Sequence, residues 1–291
     1  MLRYGIVINS NSGSVTEKLR QEFLASLQLS KLDYLVEFVA GKDMTKVAEK
    51  LLKSGRTALV AGGGDGSLGG IADLAAQHGV PFGVLPFGTL NHFAKDLGLP
   101  TDYDGLIQML EHENTKNIDY ARLGDSVFLN NSSIGIYPEL VFRREDREKK
   151  LGKWPAAAIS LFEILRQPLR IDQLIVTYNN EKHEVKTPFV FVGNNDYGFD
   201  SFGVNKREEL DKGLLSLCIF RGQSRRQLFW HLFRSVLGKP SIGVLDCYQT
   251  DEITIESNSG SLKVALDGEA YELKTPLSYT IQKQKLLAII P

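Results

Sequence analysis

Cysteine is nearly absent from this chain: 291 residues contain two, Cys218 and Cys247. They form no metal-ligand spacing, so a zinc finger or ribbon is excluded. Both lie in apolar-rich stretches, which predicts a pair of reduced, buried thiols in a cytosolic protein. Net charge of one sign is also missing, with 34 Lys+Arg against 35 Asp+Glu and a formal charge of -1. That balance excludes a generally basic nucleic-acid binder and an acidic disordered chain. No long hydrophobic run exists either. The longest uncharged stretch, Leu74 to Ala94, is broken by Pro81, Pro86, three glycines and two histidines. It reads as strand and loop rather than a transmembrane helix. The N-terminus enters a strand-like segment at once, which predicts no signal peptide. Internal repeats and low-complexity tails are absent as well.

What is present suits a globular chain with a sizeable core: 43% hydrophobic and 24% charged residues. The length accommodates two ordinary domains. The first third alternates strand and helix patterns. Residues 3–9 and 33–39 are apolar strands. Val15, Leu19, Phe23 and Leu27 recur at helical spacing, and so do Met44, Val47, Ala48, Leu51 and Leu52, closed by Ser54-Gly55. Residues 57–61 and 81–85 are further strands, with a helix on Leu68, Ile71, Ala72, Ala75 and Ala76 between them. Such alternation predicts a parallel sheet covered on both faces. After about residue 122 the rhythm changes. Residues 139–166 read as an interrupted helix with a mixed-charge run, Arg143–Lys150, that suits a solvated face. From 170 onward strands dominate, with turn signals at Asn179-Asn180 and Asn258-Ser259-Gly260 read as hairpins, and one helix over 224–237. The expected organisation is an α/β domain over 1–122 and a β-rich domain over 123–291.

Glycine is concentrated rather than spread: six of the nine positions from Gly62 to Gly70 are glycine, between a buried strand and a helix. Glycines there let backbone N–H groups approach a ligand, and the following helix N-terminus adds positive potential, so the loop suits a phosphate. A Walker A loop is excluded, because no Gly-Lys-[Ser/Thr] follows. Gly64-Asp65-Gly66-Ser67-Leu68-Gly69 fits G-x-G-x-x-G, but the ribose-binding acid of a dinucleotide fold is missing from the end of the next strand, Leu85-Pro86-Phe87-Gly88-Thr89. An Asp inside the loop would repel a bare pyrophosphate and makes sense beside Mg²⁺.

Gly63-Gly64-Asp65-Gly66-Ser67, followed by Pro86-Phe87-Gly88-Thr89-Leu90-Asn91-His92-Phe93-Ala94, resembles the diacylglycerol kinase catalytic-domain family. That family includes sphingosine kinases and is more distantly related to NAD kinases. Asn9-Ser10-Asn11-Ser12-Gly13, Asn130–Tyr137, Asp211-Lys212-Gly213-Leu214-Leu215 and Leu266-Asp267-Gly268-Glu269 resemble its further motifs in the family's order. The resemblance implies an NAD kinase-like α/β domain with a parallel sheet and a C-terminal β-sandwich domain. It implies ATP and Mg²⁺ as cofactors and a lipid hydroxyl as acceptor. Gly62, Gly63, Gly64, Gly66 and Ser67 would cradle phosphates, and Asp65 would hold Mg²⁺ through water. Gly88, Thr89 and Asn91 would contact the nucleotide from the second loop, with Asn9, Ser12 and Gly13 lining it. Asp267 would be the general base, oriented by Glu269. Asp211 and the Leu214 carbonyl would hold a structural metal, or the Lys212 ammonium would take the metal's place.

The chain departs from the pattern at several of these places. Ser67 replaces the family's usual Thr, Leu68-Gly69 its Asn-Glu, His92 an Asp of the metal's water network, and Lys212 an Asp near the structural metal. An NAD kinase-like enzyme, which shares the Gly-Gly-Asp-Gly loop, is the second expectation, and His92 and Lys212 support a third, a nucleotide- or lipid-binding regulator with weakened catalysis. For the acceptor, residues 224–237 set Leu228, Phe229, Leu232, Phe233, Val236 and Leu237 beside Arg225, Arg226 and Arg234, a pattern suited to anionic headgroups as well as to core packing. Trp154–Leu165 is a second apolar stretch that suits core packing or an acyl pocket. The expected setting is cytoplasmic, peripheral at the inner face of the membrane, with no nucleic-acid partner. The oligomeric state is left open, a homodimer included.

Overall fold

The computed structural model describes residues 1–13, 15–135, 171–197, 199–200, 203–204, 207, 209–220 and 245–291. The expected helices within 139–166 and 224–237, with the Arg143–Lys150 run and Trp154–Leu165, lie outside the described residues. The chain forms two compact units. One comprises Met1–Tyr120, Leu210–Gly213 and Gln282–Pro291; the other comprises Ala121–Glu209 and Leu214–Ile281.

The first unit is a parallel sheet with helices. Its elements are β1 (Arg3–Asn9), α1 (Glu17–Leu29), β2 (Asp33–Val39), α2 (Met44–Lys53), β3 (Ala58–Gly63), α3 (Gly69–His78), β4 (Phe82–Pro86), α4 (His92–Asp96) and α5 (Tyr103–His112). Strand order is β2-β1-β3-β4. The register aligns Ile8 with Gly62 and Gly63 with Pro86, so the carboxyl ends of β1, β3 and β4 lie side by side. Every residue of β3 is buried, which requires cover on both faces. That cover comes from α2 packed with α3 and α1 packed with α5. The periodicity of α2 is explained by what it buries, Met44, Ala48 and Leu51. Thr16 caps α1 by accepting from Leu19 N–H, and α3 stops at Gly79, whose φ of 62° ends a helix at no side-chain cost. The short α4 and the helix α5, which Asp102 caps, were not resolved from the sequence pattern.

The second unit is a β-sandwich. The strand β5 (Thr115–Leu123) leads into it and pairs with β6 (Ser126–Phe128). There follow β7 (Asn131–Gly135), β8 (Asp172–Tyr178), β9 (Glu181–Thr187), β10 (Phe189–Asn194), the short pair β11 (Phe199–Asp200) and β12 (Gly203–Val204), β13 (Leu215–Phe220), β14 (Leu245–Thr250), β15 (Glu252–Ser257), β16 (Ser261–Leu266), β17 (Glu269–Lys274) and β18 (Leu277–Ile289). One sheet has the order β14-β13-β10-β7-β16-β17, antiparallel throughout. The other places β18 beside β15, β8 and β9, also antiparallel. The core shows why these strands stack. Alternate residues point inward from both sheets: Leu174, Val176 and Tyr178; Ile253 and Ile255; Leu277, Tyr279 and Ile281; Leu215, Leu217 and Ile219; Leu262, Val264 and Leu266. The last residues of β18 belong to the first unit, where Ala288 pairs with Phe82 of β4.

Two expectations are corrected here. Cys218 and Cys247 form a disulfide rather than two thiols. They lie directly opposite each other on the neighbouring antiparallel strands β13 and β14. A sequence separation of 29 conceals that adjacency. Asn179-Asn180 is a hairpin, with φ of 50° and 63° in a two-residue loop joining Tyr178 to Glu181. Asn258-Ser259-Gly260 is not. β15 pairs with β18 and β8, whereas β16 pairs with β7 and β17, so this connection passes from one sheet to the other. Turn residues mark where the chain bends, not which strand it meets next.

Candidate active site

In the first unit the expected nucleotide-contacting residues gather at the carboxyl ends of β1, β3 and β4. This is where open α/β sheets take ligands. The amide of Asn9, Nδ2, donates to Ser67 Oγ at 2.8 Å, and its Oδ1 accepts from the Asn11 N–H. Ser12 Oγ donates to the Phe87 carbonyl at 2.6 Å. Gly13 stands near the exposed Thr89, whose Oγ1 would lie 3.8 Å from a Cβ placed on Gly13. A Cβ on Gly62 would come within 2.8 Å of Ile8.

Two loops then lock together. A Cβ on Gly88 would sit 2.2 Å from Gly64 Cα and 2.9 Å from its nitrogen, so only glycine allows this approach of backbone to backbone. Asn91, at φ 50°, accepts from the Gly88 N–H and donates to the carbonyls of Pro86 and Gly88. The Asp65 carboxylate accepts from the backbone N–H groups of His92 and Phe93 at 3.1 and 3.0 Å. It thereby caps α4 from 27 residues away, a role that Asn91 at the N-cap position does not fill. Gly66 completes the single tight turn, Asp65–Ser67, that feeds into α3.

The donor set for a metal is sparse. No group of three or more His, Cys, Asp or Glu stands together among the described residues. Asp65 fits Mg²⁺ as a single carboxylate, in the manner of ions that keep several waters and are completed by phosphates. Its bonds to His92 and Phe93 suit contact through water rather than direct ligation. The Asp211 carboxylate pairs with Lys116 Nζ at 2.9 Å, and the Leu214 carbonyl accepts from Asn195 N–H.

In the second unit Asp267 and Gly268, at φ 46° and 87°, form the two-residue turn between β16 and β17, where Leu266 pairs with Glu269. The turn also has a side-chain function. Asp267 Oδ2 accepts from Leu129 N–H at 2.7 Å, and Oδ1 accepts from Asn130 and Asn131 N–H at 2.9 and 3.0 Å. Both oxygens are thus fixed by backbone donors, which set the orientation of the carboxylate. Glu269 is exposed and accepts from the Tyr271 hydroxyl at 2.7 Å.

Residues 3–123 match the model of the diacylglycerol kinase catalytic domain. This stretch of the chain is similar to that family. A curated diacylglycerol kinase of Staphylococcus haemolyticus (strain JCSC1435) is 25% identical over 253 residues, covering 86% of this chain and 76% of the relative. Another, from Staphylococcus aureus (strain bovine RF122 / ET3-1), is 25% identical over 285 residues, covering 95% and 89%. The crystal structure of a diacylglycerol kinase from Bacillus anthracis str. Sterne shares the fold, with a TM-score of 0.72 at 20% identity over 99% of this chain and 97% of that one. The kinase-type catalytic domain supports a lipid kinase.

Two residues of this diacylglycerol kinase-like chain escaped the sequence reading. Asp119 is fully buried, and its carboxylate accepts from Gly213 and Gln284 N–H at 2.6 Å each. An acid between Ile118 and Tyr120 in an apolar strand was a legible signal. Arg207 is buried too. It sits in the charged stretch Lys206–Glu209, which looks like a solvated loop and offered no signal.

Proposed function

We propose that the chain transfers the γ-phosphoryl group of ATP to a lipid hydroxyl, with diacylglycerol as the acceptor. The observation that carries this reading is the interlocked loop pair, Gly62–Ser67 against Pro86–Asn91, at the carboxyl ends of the parallel strands. Residues 1–122 act as the nucleotide-binding domain, and 123–291 as the β-sandwich domain that carries the base. The backbone of Gly62, Gly63, Gly64, Gly66 and Ser67 cradles the phosphates. Asn9, Ser12, Gly13, Gly88, Thr89 and Asn91 shape the nucleotide site. Mg²⁺, when bound, neutralises phosphate charge, and Asp65 holds it through water. Asp267, oriented by its N–H donors, accepts the hydroxyl proton, and Glu269 supports that orientation. Such a carboxylate raises the nucleophilicity of an alcohol, while positioning and charge neutralisation carry the rest. The protein works at the cytoplasmic face of a membrane, where the acceptor resides.

The test incubates the full chain with γ-labelled ATP, Mg²⁺ and separate acceptors: diacylglycerol, sphingosine, phosphatidylglycerol and NAD. Labelled phosphatidic acid is expected. Labelled NADP would replace this reading with an NAD kinase, and ATP binding without transfer to any acceptor would replace it with a regulator.

A further inference from the structure

The backbone segment that holds Asp267 is gripped from its other side by a buried arginine. Arg207 is 1% exposed. Its Nη1 donates to the carbonyl oxygens of Leu129 at 2.7 Å and Asn194 at 2.9 Å, and its Nη2 donates to Asn130 Oδ1 at 3.0 Å. The guanidinium carbon lies 5.2 Å from the ring centre of Tyr197. Asn194 supports the same grip, its Nδ2 donating to the Leu129 carbonyl at 2.8 Å and its N–H to the Asn130 carbonyl at 2.9 Å.

One peptide group joins the two charges. The carbonyl of Leu129 accepts from Arg207, and the N–H of Asn130, across the same peptide bond, donates to Asp267. The sequence of bonds runs from cation through peptide to anion. A peptide polarised at its oxygen by a cation is a stronger donor at its nitrogen. Burying a guanidinium is costly, so a chain that retains one at this place retains it for what it holds.

We propose that Arg207 is a positioning residue for Asp267: its guanidinium sets the Leu129–Asn131 backbone, and that backbone sets the carboxylate. The proposal rests on the reading of Asp267 as proton acceptor. A lysine does not replace it, because an ammonium lacks the planar fork that reaches the Leu129 carbonyl and Asn130 Oδ1 together.

The experiment compares wild type with Arg207→Met, Arg207→Lys, Arg207→Ala and Asp267→Asn, using γ-labelled ATP and diacylglycerol in mixed micelles. Misplacing a catalytic group by an ångström costs about a hundredfold. Arg207→Met is therefore expected to lower kcat by about that factor while KM for ATP stays within about twofold. Added guanidinium ion is expected to restore part of the kcat of Arg207→Ala and none in the Arg207→Ala, Asp267→Asn double variant. If the methionine variant does not fold, Arg207→Lys carries the test, and wild-type kcat in it overturns the proposal. Amide hydrogen exchange provides a readout without substrate: Asn130 and Asn131 should exchange faster in Arg207→Lys, and unchanged protection there also overturns it. An inactive Asp267→Asn beside a fully active Arg207→Met defeats this proposal alone. A fully active Asp267→Asn defeats the reading beneath it.

Discussion

The Gly62–Ser67 loop and the Asp267–Gly268 turn are both tight, glycine-bearing bends with an aspartate inside, yet they are held in opposite ways. The first is held by the lack of side chains. Gly64 and Gly88 touch backbone to backbone, and Asp65 and Asn91 tie the neighbouring loop down. At Gly88 anything with a Cβ intrudes on Gly64. The second is held through its side chain. Three N–H groups of the Leu129–Asn131 segment close on one carboxylate, and a buried guanidinium holds the far side of that segment. The loop's geometry is set by the absence of side chains, and the carboxylate's by the donors that surround it.

That contrast can be broken by substitution. The largest effect is expected for Asp267→Asn. Loss of a positioned base lowers kcat by about 10²–10⁴-fold. The new amide keeps one oxygen for the Asn130 and Asn131 N–H groups but turns its NH₂ toward a donor at Leu129, so a thermal melt must accompany the kinetics. Next is Gly88→Val, whose Cβ would overlap Gly64 Cα. Forcing atoms into such a contact costs about 1–3 kcal/mol, and the displaced loop should raise the dissociation constant for ATP, measured by calorimetry. Asp65→Ala removes the cap on α4, worth about 0.5–2 kcal/mol in stability, and lowers transfer, by less than Asp267→Asn does. Unchanged activity in that variant would remove Asp65 from the metal role. The smallest effect belongs to Lys116→Met. Its partner Asp211 and Lys116 itself are both partly exposed, and such pairs contribute about 0–1 kcal/mol. A large loss of activity on this change would mean that the Asp211 region matters for catalysis.

The same contrast explains how much was legible beforehand. The glycine loop could be located because its elements are consecutive: strand, glycines, helix. The parallel sheet and the sandwich could be read because their periods repeat locally, as in Leu174, Val176 and Tyr178. What could not be read depends on residues far apart in the chain. Asp65 meets His92 and Phe93, Asp267 meets Leu129–Asn131, and Cys218 meets Cys247 only after the strands are ordered. Arg207 is the extreme case, since nothing in a run of charges marks it as buried. The Asn258-Ser259-Gly260 bend was located correctly, yet its strands went to different sheets, because pairing is decided by which core face each strand must cover.

The division of labour between the two aspartate-bearing bends can be tested in one measurement: ATP affinity and phosphoryl transfer to diacylglycerol, recorded on the same preparation of folded Asp267→Asn. The account predicts ATP bound as tightly as by wild type and lipid labelling reduced by at least about a hundredfold. Labelling at the wild-type rate, or ATP binding lost together with transfer, would contradict it.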